Sequence, residues 1–252
     1  MSEILRVERL QAGVGEQLIL NDVSFTLKAG ETLGIIGPNG SGKTTLFNCL
    51  SGFMPVSSGK IEFRQGEITH SAAHLRARKG LARVFQNFGI FRDCTLRENM
   101  LIALESSTPL WRSVFPWGST LKKNIDASEI FLKQIGLEAQ ADKKASSLSG
   151  GQMRLLEIAR ALAFGAELLL LDEPTAGVSP KMKGQVAELL KKVQASGKSI
   201  VVIEHDINFI QSFCSRILVL DGGKVVLDDT PEIVKASPLL AEIYFGSGPI
   251  HQ

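Results

Sequence analysis

The chain has 252 residues, 44% of them hydrophobic and 21% charged, an ordinary globular composition for one domain with or without a subdomain. A net charge of +2 with no long basic run argues against a nucleic-acid partner. Three separated cysteines, Cys49, Cys94 and Cys214, lack any C-x-x-C spacing and read as reduced, buried thiols rather than a redox or metal site. No apolar run reaches the roughly 18 residues of a membrane span, and Met1-Ser2-Glu3 is not expected to open a signal peptide.

Short strands are expected up to Lys28. Ser24, Phe25, Thr26 and Leu27 alternate polar and apolar, Asn21-Asp22 is a turn signal, and the pattern suits an antiparallel sheet with one wet face. Ala29-Gly30-Glu31 then turns into Thr32-Leu33-Gly34-Ile35-Ile36, an apolar stretch that reads as a buried strand. The next nine residues are Gly37-Pro38-Asn39-Gly40-Ser41-Gly42-Lys43-Thr44-Thr45, which match G-x-x-x-x-G-K-[ST] between that strand and a helix. Glycines let successive N–H groups face a phosphate, and the helix start adds free donors and partial positive charge. Lys43 is expected to reach the β- and γ-phosphates, and the Thr44 hydroxyl to hold Mg²⁺. The stretch predicts a nucleoside triphosphate site.

Ser57-Ser58-Gly59 reads as a turn before the alternating Lys60-Ile61-Glu62-Phe63. Between His70 and Gly80, Arg76, Arg78 and Lys79 suggest a solvated helix. Residues 81–85 form a strand candidate ending at Gln86, placed to reach a metal or water at the sheet's carboxyl edge. From 87 to 147 the pattern is helical, broken at 106–120 by Pro109, Pro116 and Gly118. Trp111 and Trp117 lie in that break, either tucked onto their own subdomain or forming a docking surface. A helix resumes at 126–137.

Leu148-Ser149-Gly150-Gly151-Gln152 precedes a helix with Leu155, Ile158, Ala159 and Leu162 on one face, which makes a second anion-binding terminus. Leu168-Leu169-Leu170-Leu171-Asp172-Glu173 is a buried strand ending in two carboxylates. Asp172 is placed to hold Mg²⁺ and Glu173 to take a proton from water, although strand-end carboxylates also cap following segments. Residues 181–195 form an amphipathic helix closed by Gly197. A buried strand at 199–203 leads to Glu204-His205-Asp206, where His205 sits on the edge that carries Gln86 and Asp172. Asp221-Gly222-Gly223 signals a hairpin, and a polar helical tail follows.

Together these motifs resemble the nucleotide-binding subunit of an ABC transporter over essentially the whole chain. Residues 37–45 correspond to the phosphate loop, Gln86 to the Q-loop, 148–152 to the signature, 168–173 to Walker B and His205 to the switch histidine. The resemblance implies an α/β fold: a P-loop NTPase (RecA-like) core at 1–86 and 154–230, bearing an antiparallel β subdomain. It also implies a helical subdomain at 87–153 and a tail at 231–252. Glu173 would then be the general base, with His205 and Gln86 sensing the γ-phosphate and Mg²⁺, and Thr44, Gln86 and Asp172 at the metal. ATP and Mg²⁺ would bind between two head-to-tail subunits. One chain's Ser149, Gly150, Gly151 and Gln152 would close over ATP on the partner's phosphate loop.

Further partners implied are membrane permease subunits and, indirectly, a substrate-binding protein, at the cytoplasmic face of the cell's inner membrane. Ala176-Gly177-Val178-Ser179-Pro180, Ile203-Glu204-His205-Asp206 and the tail Ala241-Glu242-Ile243-Tyr244-Phe245-Gly246 look like the branched-chain amino acid uptake group. Subunits that extract lipopolysaccharide share that tail. Residues 88–91 match the family's groove for a short helix of the membrane subunit. Two positions depart from the common pattern: Ser179 stands where aspartate is frequent, and Val14 where an aromatic ring stacks on adenine.

Overall fold

The computed structural model describes residues 2–15, 17–87, 89–106 and 118–245. The Trp111 and Trp117 break, Phe88 and Gly246 therefore lie outside the described residues. The chain opens with two strands, β1 (Glu3–Val14) and β2 (Gln17–Lys28), followed by β3 (Thr32–Ile36) and helix α1 (Lys43–Ser51). Strands β4 (Ser58–Phe63) and β5 (Gly66–Glu67), helix α2 (Ala73–Arg78) and strand β6 (Leu81–Val84) follow. Then come helices α3 (Leu96–Ser106), α4 (Gly118–Gln134) and α5 (Gly150–Ala163), with strand β7 (Leu168–Asp172) after them. Helix α6 (Pro180–Ala195), strand β8 (Ser199–Ile203) and helix α7 (Ile207–Gln211) lead to the hairpin β9 (Arg216–Asp221) and β10 (Lys224–Asp229). Helices α8 (Pro231–Ala236) and α9 (Pro238–Phe245) end the described chain.

These strands form two sheets, an antiparallel one ordered β2-β1-β4-β5 and a second ordered β10-β9-β3-β8-β7-β6. In the second, β9, β3, β8, β7 and β6 run parallel and β10 pairs antiparallel. Every residue of β3, β7 and β8 is buried, as expected for strands covered on both faces. Alternation assigns the two faces. Leu168 and Leu170 join α1 and the antiparallel sheet in one core, whereas Leu169 and Leu171 join α3, α5 and α6 in the other. The carboxyl ends of β3, β6, β7 and β8 consequently share one edge, where open α/β sheets place their ligands.

Several local expectations need correction. Asn21-Asp22 is no turn: it lies within β2, where Asp22 adopts φ 61 and the pairing register with β1 shifts. Asn and Asp tolerate that conformation, and the extra residue keeps Leu20 and Val23 on the buried face. Ser58 and Gly59 begin a strand rather than a turn, with Ser58 paired to Gln11. The helix expected at 126–137 starts earlier, at Gly118.

The helix around Arg76 is solvated at His74, Leu75, Arg78 and Lys79, but Arg76 itself is not. Arg76 is only 1% exposed and donates to the carbonyls of Cys49, Leu50, Thr69 and Ser71. The last carbonyls of a helix have no partner within it, so a guanidinium at the end of α1 satisfies them.

Helix α5 runs unbroken through residue 153 and so carries the signature turn into the core. The division into residues 87–153 and a core of 1–86 and 154–230 remains our proposal.

Candidate active site

The phosphate-binding loop lies at the carboxyl end of β3, where the chain reverses too tightly for a side chain at its first position. A Cβ on Gly37, whose φ is 155, would lie 2.0 Å from the Leu220 carbonyl oxygen. Ser41 and Lys43 are buried, Pro38 and Thr45 half-buried, and Asn39, Gly40 and Thr44 exposed; Gly42 caps the start of α1. Lys43 Nζ donates to the carbonyls of Gly37 and Pro38, at 2.8 Å each, and so sits folded across the loop. Burial lowers the Lys43 ammonium from its ordinary range, while the Glu173 and Asp172 carboxylates raise it in part.

Three other strand ends meet beside this loop. Glu173, just past β7, has φ 46, a strained value for a residue with a Cβ. Its Oε2 accepts from Gln86 Nε2 at 3.0 Å, and its Oε1 lies 3.1 Å from His205 Nε2. The Glu173 side chain is 26% exposed and that of His205 43%, so water reaches both. A carboxylate held between an amide and an imidazole has the reach and orientation of a general base.

Asp172 is ion-paired, with Oδ2 accepting from Arg83 Nη2 at 2.7 Å. The Thr44 hydroxyl, the Gln86 amide and the Asp172 carboxylate supply hard oxygen donors at one edge, the donor type Mg²⁺ selects. These residues fit that ion together with a nucleotide's phosphates.

The signature turn is built separately. Ser149 caps α5: its Oγ accepts from the Gln152 N–H, while Gln152 Oε1 accepts from the Ser149 N–H, a reciprocal capping box. Gly150 opens the helix, and a Cβ on Gly151 would lie 2.7 Å from Met182 of α6. Among the described residues no hydrogen bond joins this turn to the phosphate-binding loop of the same chain. Val14 ends β1 with 66% of its surface exposed.

Sequence reasoning missed three charged residues that hold these parts in place. Buried Glu204 accepts from both the N–H and the hydroxyl of Thr175, at 2.8 and 2.6 Å, and fixes the turn that follows Glu173. Buried Arg154, on α5, donates to the carbonyls of Phe85 and Gln86, at 2.6 and 2.9 Å, and pairs with Glu157. Arg83 joins Asp172 to α1 through Asn48 and Ser51. Only Glu204 offered a signal, as a charge directly after an apolar strand.

A family model described as ABC transporter matches residues 20–176, across the phosphate-binding loop, Gln86, the signature turn and Glu173. The chain belongs to the ABC transporter family. It is an ATP-binding subunit of that family. It is 34% identical over 249 residues to the high-affinity branched-chain amino acid transport ATP-binding protein LivG of Salmonella typhimurium, covering 96% of this chain and 98% of that protein. It is also 34% identical to the lipopolysaccharide export system ATP-binding protein LptB of Acidithiobacillus ferridurans, over 98% of each chain. Among solved structures, an ATP-binding cassette of an ABC transporter in its ADP conformation superimposes with a TM-score of 0.87 at 30% identity, over 98% of this chain and 100% of that one. A dimeric cassette bound to ADP and phosphate after hydrolysis gives a TM-score of 0.76 at 29% identity, over 90% and 99%.

Proposed function

We propose that this chain is the ATP-hydrolysing subunit that energises an importer, with branched-chain or other hydrophobic or neutral amino acids as cargo. The observation that carries the chemistry is Glu173, held between Gln86 and His205 at the mouth of the phosphate-binding loop. The cargo assignment rests on relatives such as LivG, which match nearly the full chain. Export of lipopolysaccharide is the second reading, favoured by an equally similar export relative.

In this reading Glu173 takes the proton of the attacking water, and His205 keeps the carboxylate oriented. Lys43 and the free N–H groups at the start of α1 bind the phosphates. Thr44, Gln86 and Asp172 would hold Mg²⁺, which when bound neutralises charge on the transferring phosphoryl group. The Ser149–Gln152 turn of a second copy closes the site, because the helix start presents free N–H donors that its own loop leaves unused.

Coupling to permease subunits uses the groove lined by Phe85, Phe91, Ile102, Ala161 and Phe164, which adjoins Gln86. Arg154 ties that backbone to α5, so displacement in the groove moves Gln86 and the signature helix together. No helix among the described residues is long and apolar enough to cross a membrane. A peripheral position at the cytoplasmic face of the inner membrane follows from the permease partners, and a substrate-binding protein completes the importer.

Mixing Ser149→Arg with Lys43→Ala subunits tests the shared site. In a mixed pair one site carries both lesions and the other neither, so ATPase activity lost in each variant should partly return. Full activity of either variant alone would overturn the shared-site reading. Mass spectrometry of co-purifying membrane chains decides the cargo. A permease with an amino acid-binding protein supports import, whereas lipid-handling chains support export.

A further inference from the structure

We propose that Arg83 is a positioning residue for the metal site, setting the Asp172 carboxylate while being braced by the apolar groove. The proposal rests on the reading that this site holds Mg²⁺ with ATP. Arg83 lies on β6, three residues before Gln86, and its side chain is only 5% exposed. Its Nη2 donates to Asp172 Oδ2 at 2.7 Å, and its Nη1 to Asn48 Oδ1 at 2.7 Å and Ser51 Oγ at 3.1 Å. One rigid fork therefore spans β7 and α1 from β6. Those elements carry Asp172, the Lys43–Thr44 pair and, just past β6, Gln86.

A planar guanidinium suits this task because its donors keep fixed directions, which an ammonium's do not. It engages one carboxylate oxygen only. Among the described residues no protein group donates to Asp172 Oδ1, which stays available to a metal ion or its water. The opposite charge also pairs with a mostly buried carboxylate and fixes where it lies.

The plate is held from the other side as well. Its Cζ lies 4.6 Å from the Phe85 ring centroid and 5.7 Å from that of Phe47. Phe85 in turn meets Phe53 edge-on at 5.4 Å and lines the groove. Arg83 Nε is buried without a hydrogen-bond partner, so the polar grip is confined to the Nη edge and the rings decide where the plate lies. A shift of Phe85 would then be felt at Asp172.

The test is nucleotide binding and hydrolysis titrated with Mg²⁺, using a fluorescent ATP analogue. Arg83→Gln should bind nucleotide without Mg²⁺ as the parent does, yet need about tenfold more Mg²⁺ for the metal-dependent gain, at the low end for loss of a residue that orients a metal ligand. Arg83→Lys should fall between the two, since it restores charge but not the fork. Phe85→Leu, which leaves every polar bond in place, should shift the Mg²⁺ requirement in the same direction by a smaller factor. Should Arg83→Gln fail to fold, Asn48→Ala carries the same prediction on the second anchor. An Mg²⁺ requirement unchanged in folded Arg83 variants would overturn the proposal. Absence of any Mg²⁺-dependent binding in the parent would instead overturn the reading on which it rests.

Discussion

The hydroxyl of Tyr244, near the end of the last helix, accepts a hydrogen bond from the backbone N–H of Gly37 at 3.0 Å. Gly37 is the first residue of the phosphate-binding loop and is buried, so this N–H depends on the tail for its partner. Burial pushes the Tyr244 phenol up, against the smaller opposing effect of the Gly37 N–H, so the hydroxyl remains protonated. Tyr244→Phe keeps the ring and removes the acceptor. Leaving a buried donor unsatisfied costs about 1–3 kcal/mol. In a chain of this size each kcal/mol lowers the melting midpoint by about 2–4 °C. Differential scanning fluorimetry should show that drop, and an unchanged midpoint would mean that water replaces the phenol without cost.

Glu173→Gln should retain ATP binding while hydrolysis falls by about 10²–10⁴, the usual contribution of a positioned base. The amide keeps the shape that meets Gln86 and His205 but cannot take a proton. Size-exclusion chromatography with ATP should then reveal a trapped dimer. Hydrolysis close to that of the parent would place the base elsewhere.

The residues proposed to carry chemistry were legible because that chemistry demands particular side chains at fixed intervals. The 37–45 loop, the Leu168 to Glu173 pair of strand and carboxylates, and the Asp221-Gly222-Gly223 hairpin all stand where their patterns put them. Arg76, Arg83 and Arg154 were not legible, and Glu204 showed only as a charge after an apolar strand. A buried charge is specified by partners distant in the chain, such as Asp172 for Arg83 at a separation of 89 residues. The strand bulges at Arg9 and Asp22 escaped notice for a related reason. Local signals announce a turn, while pairing with the neighbouring strand decides that the chain continues. Helix α4 began earlier than its apolar pattern, because Gly118 carries no helical signal of its own.

Phe91 offers a test of docking that spares the chemistry. Its ring is 47% exposed beside the Arg160 guanidinium, 4.8 Å from the ring centroid, while its backbone is fixed by two hydrogen bonds with Asn99. Phe91→Asp should therefore leave folding and basal ATPase activity intact. It should weaken co-purification with the membrane subunits and lower transport. Undiminished association and transport would assign the ring to this chain's own surface.

Val14 predicts how the site treats the base. Stacking on an aromatic ring is worth roughly 1–3 kcal/mol per base in nucleic-acid-binding proteins. An exposed valine provides apolar contact without a flat π-face and recovers only part of that. A deficit of about 1.4 kcal/mol corresponds to about tenfold weaker binding than an aromatic residue would give. Phosphate contacts from the loop then dominate affinity, and these are the same for ATP and GTP. The two nucleotides should accordingly bind within about tenfold of each other, a gap of no more than about 1.4 kcal/mol. Val14→Tyr should tighten ATP binding without changing the maximal rate, since the base lies away from the reacting phosphate. Val14 pairs with Gln17 at the very end of β1, so a ring there replaces an exposed side chain and displaces no core residue. Competition of a fluorescent ATP analogue by ATP and then GTP measures both effects. Unchanged ATP affinity in the variant, together with a strong preference for ATP in the parent, would show that another group already covers the adenine.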